Sequence, residues 1–159
     1  LYFKTQWCAL QLSMTIILFG VILVIILTAL AVIDFRTYIL PDYLTLPLIG
    51  LGLAFAYTQG QLNAALIGAI VGYSGFVLLE IAYKQLRGKD GLGRGDAKLL
   101  SAGGAWCGWF GLPFIVLIAS AFGLVHALML ARKNTDALPF GPHLAAGIFL
   151  TWLSLFVLT

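Results

Sequence analysis

Three aspartates, Asp34, Asp42 and Asp96, stand out in a chain of 159 residues that is 62% hydrophobic and only 9% charged. Asp34 closes an apolar run in "ALAVIDFRTYILPDYLTLP", where Asp42 follows, and Asp96 separates the glycine-rich "GLGRG" from "AKLLSAGGAW". An ionisable group at membrane depth is expensive and counts by default as a functional-site hypothesis. Paired carboxylates perform acid–base chemistry when their surroundings divide the two roles between them. Asp42 after Pro41 and Asp96 after Gly95 each also have a plain reading as a helix N-cap. Asp34 does not. At the C-terminal end of a helix it faces the negative end of the macrodipole, at a cost of some tenths of a kcal/mol to about 1. Asp96, opening a helix, meets the opposite field, so the two carboxylates are differentiated as an aspartyl acid–base pair requires.

The elements that must position them are apolar runs. Soluble domains carry about a quarter of their residues as charges, far above this chain. Six segments can be marked: Leu10 to Ile33, Tyr43 to Thr58, Leu62 to Leu86, Ala97 to Leu112, Phe114 to Ala131, and Leu144 to Leu158. Backbone groups in lipid must be satisfied internally, which makes these helices, and the short alternating segments of a β-barrel are absent. The sequence therefore predicts an all-α polytopic membrane protein of six transmembrane helices, forming one domain over residues 1–159. The first run, with Lys4 before it and "TALA" near its end, is too long for the h-region of a signal peptide. The second and fourth runs reach only about 24 Å, short of a ~30 Å hydrocarbon core, which suits either a locally thinned bilayer or packing against longer neighbours.

Charge sets the orientation. Arg36, Lys84, Arg87, Lys89, Arg94, Lys98, Arg132 and Lys133 fall on or beside the first, third and fifth connections, against Lys4 alone on the other face. By the positive-inside rule those connections are cytoplasmic and both termini lie outside the cytoplasm. All six acidic residues sit on or near the cytoplasmic face, and so must any chemistry. The net charge of +3 is small, and no nucleic-acid partner is expected. Cys8 and Cys107 form no CxxC pair, His126 and His143 have no clustered ligands, and no metal or cofactor is expected.

The glycine spacings Gly68/Gly72 and Gly104/Gly108 suit close helix packing. In "GLGRGD", Gly93 and Gly95 would let the Asp96 carboxylate meet another helix end and let a peptide backbone come near. The loop lacks the GK[ST] ending of a phosphate-binding P-loop, and its RGD tripeptide is short enough to occur by chance.

Three ordered blocks resemble the type IV prepilin peptidases, a family of polytopic aspartyl proteases. "IDFRTYILPDYLTLPLIGLGL" is similar to the family's first-aspartate block, "GLGRGDAKLLSAGGAWCGW" to its GxGD block, and "LPFGPHLAAG" to the opening of its last helix. The resemblance implies that Asp34 and Asp96 are the catalytic pair and that Asp42 supports the site. Gly93, Gly95 and Lys98 are expected to support it too. Implied substrates are prepilins or prepilin-like secretion proteins with a basic leader and a hydrophobic helix, cut at the cytoplasmic face of the bacterial inner membrane. Bifunctional members carry two CxxC pairs ahead of the peptidase core and also methylate the new N-terminus. With about nine residues before the first helix and no CxxC, peptidase activity without methyltransferase activity is expected.

From the fields at the two helix ends, Asp96 is expected to act as base and Asp34 as proton donor in a dyad that shares one proton and titrates as a pair. Lys98 has two readings, an electrostatic partner of the site and a snorkelling surface lysine. Glu80 is expected to pair with Lys84 one helical turn on rather than contact a leader. His126 and His143 are read as structural, and Trp106, Trp109 and Trp152 as packing or interface residues. The rivals are a small ion-coupled transporter, which would want carboxylates at the midplane, and a non-catalytic subunit of a secretion complex.

Overall fold

The computed structural model describes residues 2–87, 93–130 and 140–156, without the side chains of residues 2–13, 83, 86, 87 and 130. The expectations for Lys4, Cys8, Arg87, Lys89, Arg132 and Lys133 lie outside what is described. Five helices follow one another: α1 Tyr2–Thr37, α2 Asp42–Thr58, α3 Leu62–Arg87, α4 Arg94–Leu130 and α5 Gly141–Phe156. Among the described residues there is no strand.

The sequence predicts six separate helices; the fourth and fifth follow each other without an intervening loop and are described together as α4, which a sharp break divides. The junction is Gly108, at φ 69° and ψ 177°, a conformation that a Cβ would make costly. It lies ahead of Pro113, where the sequence places the break. The two arms of α4 double back on each other. A Cβ on Gly103 would lie 3.0 Å from Cδ1 of Ile115, whereas twelve residues of straight helix span about 18 Å.

Glycines set the packing around this element. Gly68 of α3 and Gly104 of α4 face each other so closely that a Cβ on either would strike the other's backbone. Such approach brings more atoms into dispersion contact, the term that drives helix association in lipid. Two hydrogen bonds fix the first arm further: Ser101 Oγ donates to Ala69 O (2.9 Å) and Trp106 Nε1 to Leu48 O (2.8 Å). The Trp106 ring stacks on Phe55 with centroids 5.5 Å apart. Trp106 and Trp152 are buried, as the packing reading expects.

The outer surface is apolar. Ile25, Ile70, Phe114, Leu117 and Leu124 are each more than 60% exposed, and helical stretches Met14–Thr37, Leu62–Ala82 and Arg94–Met129 are long and apolar enough to cross a membrane. A soluble protein seldom presents apolar surface so continuously, and we read the chain as membrane-embedded. The six-helix expectation is met only to that extent: the secondary structure of the described residues is all helical, with three candidate spans among them.

Replacing Gly104 with Val should lower stability by about 1–3 kcal/mol through overpacking. Gly50→Ala, with nothing within 4 Å of its added Cβ, should not. Thermal unfolding in detergent compares the two.

Candidate active site

The last turn of α1 carries Asp34, which is 4% exposed. Its Oδ2 accepts a hydrogen bond of 3.0 Å from the backbone N–H of Gly141, the first residue of α5. Helix N-termini leave N–H groups unsatisfied and carry the positive end of the dipole, so they suit a carboxylate. The unfavourable field read from the sequence is that of Asp34's own helix; the partner helix supplies the opposite one. Glycine is required at 141, because a Cβ there would lie 2.5 Å from Asp34 Oδ2 and 2.8 Å from its Cγ. Tyr38, just past α1, takes a left-handed φ of 54° while its N–H donates to Asp34 O at 2.8 Å. That conformation costs a non-glycine residue about 1–2 kcal/mol.

Asp96 is not an N-cap. The helix begins at Arg94, and the N–H of Asp96 donates to Gly93 O at 3.0 Å. Its side chain turns inward, with Oδ1 buried and without a hydrogen-bond partner among the described residues. A Cβ on Gly93 would meet Asp96 Oδ2 at 3.6 Å, and one on Gly95 would press on Leu40 Cβ at 2.9 Å. Asp34 and Asp96 open onto one cavity of about 1260 Å³, walled by Tyr38, Leu40, Leu117 and Leu144 among others. The two carboxyls lie within electrostatic range of each other.

Asp42 stands apart from this cavity. It is exposed, and Pro41 rather than Asp42 caps α2, without a side-chain hydrogen bond. Its Oδ1 pairs with Lys98 Nζ at 2.5 Å, tying the start of α2 to the first arm of α4. Arg94 Nε lies 3.8 Å from Glu80 Oε1, and Arg94 lines the cavity.

One arrangement escaped sequence reasoning. His126 and His143, taken separately as structural, meet with Nδ1 and Nε2 3.0 Å apart. Their separation along the chain hides this, since no helical spacing links them. Among the described residues no group of three or more His, Cys, Asp or Glu is placed to hold a metal.

The fold and site together define a membrane-embedded helical bundle that brings two aspartates to one apolar cavity. Residues 21–128 match the model of the type IV leader peptidase family, and the chain belongs to that family. It is 46% identical over 135 residues to a prepilin leader peptidase/N-methyltransferase of Escherichia coli K12, covering 79% of this chain and 60% of that protein. Proteins of the same name from Pectobacterium carotovorum and Neisseria gonorrhoeae are 48% and 45% identical over 80% and 79% of this chain, and 48% and 44% of their own. The chain thus spans about half the length of the curated relatives it matches. No solved structure matches.

Two measurements check this geometry. Gly141→Ala should detach Asp34 from α5 and speed amide exchange at the start of that helix roughly tenfold, the value of a charge-assisted hydrogen bond. Lys98→Met should cost no more than about 1 kcal/mol in unfolding, since its partner Asp42 is exposed.

Proposed function

We propose that this chain forms a membrane aspartyl endopeptidase that removes the leader of prepilins or prepilin-like secretion proteins, with Asp34 and Asp96 as its catalytic pair. The observation that carries the reading is their convergence on one apolar cavity, in a chain of the leader peptidase family. Two close carboxyls do not both ionise readily, so they hold one proton between them. The ionised member takes a proton from a water molecule as it attacks the scissile carbonyl. The protonated member hydrogen-bonds the carbonyl oxygen, and the proton gained by the first passes to the departing amine. Gly141 occupies Asp34 Oδ2 as an acceptor, which leaves Oδ1 for proton exchange. Such a pair titrates as a unit, so base and acid are roles of the dyad.

The substrate fits the walls. A hydrophobic helix can lie against Val116 and Leu117 while its leader junction meets the carboxyls at the helix ends. In this reading six apolar segments cross the bacterial inner membrane, the arms of α4 being the fourth and fifth. The basic connections face the cytoplasm, where a leader would be presented.

Vesicles containing the protein and a candidate prepilin should yield leader-free product by mass spectrometry. Asp34→Asn and Asp96→Asn should each slow this more than about a hundredfold while still inserting, in line with the loss of an acid–base group. Near-normal turnover by either variant would refute the dyad.

A further inference from the structure

We propose that His143 is a positioning residue for Asp34: its hydrogen bond to His126 clamps the first turn of α5, whose Gly141 N–H holds the carboxyl. This inference rests on the peptidase reading above. Its parts are close together. His143 lies two residues after Gly141 in the same turn, and its N–H donates to Phe140 O at 3.1 Å. His126 belongs to the last turns of α4, so the pair joins helices on either side of the connection between them. The imidazoles sit with centroids 5.0 Å apart and planes at 39°, and Phe140 lies 6.4 Å from the ring of His143. Both histidines are half-buried, where a directed hydrogen bond holds better than at an open surface. His143 is also within electrostatic range of Asp34.

A helical turn moves as a unit, so an α5 that swings at His143 moves the Gly141 donor. Displacement of about 1 Å at such a group is enough to cost a hundredfold in rate. Among the described residues no third metal ligand is placed beside the pair. Neither histidine lines the cavity, so neither acts on the substrate directly.

The test separates this clamp from general packing. In the reconstituted prepilin assay, His126→Phe and His143→Phe should each lower kcat about tenfold with KM unchanged, the scale of one lost buried hydrogen bond. The double variant should be no slower than either single, because the two residues form one interaction. His143→Gln, which keeps a donor and an acceptor, should recover most of the rate. Unchanged kcat in the Phe variants, a change in KM alone, or multiplicative losses in the double variant would each overturn the clamp. An activity-free arm reads nitrogen-15 coupling across the imidazole pair, expected in the wild type and lost in His126→Phe, together with Gly141 amide exchange, expected to quicken about tenfold in His143→Phe. If wild-type protein removes no leader, the peptidase reading fails, and these two signals decide the clamp alone. Absence of the coupling in the wild type overturns it.

Discussion

A buried carboxyl group needs a partner, and in this molecule the hydrogen bond from Gly141 to Asp34 supplies it. The contact joins the C-terminal end of the first helix to the N-terminal end of the last. It therefore presupposes that every element between them is in place. α5 reaches its position by packing on the second arm of α4, where a Cβ on Gly147 would lie 2.7 Å from Ile115 O. The first arm is set by the Gly68–Gly104 crossing with α3, which brings Asp96 to the same cavity. Backbone approach at glycines thus does much to determine where the two acids stand. In lipid, where apolar association has no water to drive it, that is the available means.

Much of this was legible in the residues. Asp34 and Asp96 were conspicuous because a chain with so few charges gives each carboxylate information, and the helical segments followed from apolar runs. The ends of α2 and α3 fall within a residue of those read from the sequence. The position of the fold-back was not legible. "GGAWCGWFG" offers several glycines, and only the packing of α4 on α3 and α5 selects Gly108 over a break at Pro113. Gly141 looked like any glycine before a proline; its necessity lies in the carboxyl oxygen opposite, contributed by residues far back in the chain. The caps read for Asp42 and Asp96 failed for a local reason, since each helix starts slightly earlier than the apolar pattern does.

Charge–charge contacts also link separate helices. Glu80 pairs with Arg94 across the α3–α4 connection, and Asp42 with Lys98 between α2 and α4. Both unite segments whose connections the charge pattern assigns to one face. The exposure of Arg94 and Asp42, one partner in each, keeps the energy small. What they add is register: the first turn of α4 is held from two sides just where Asp96 points inward.

The large apolar hollow between these helices has a bearing on energetics of a different sort. Within a bilayer, fatty-acid tails are as apolar as leucine, so lipid would compete for the apolar stretch of this hollow beside Leu117. A hydrophobic segment entering it exchanges one hydrocarbon neighbour for another. The area it covers then yields little affinity, and discrimination falls to the few polar atoms at the rim.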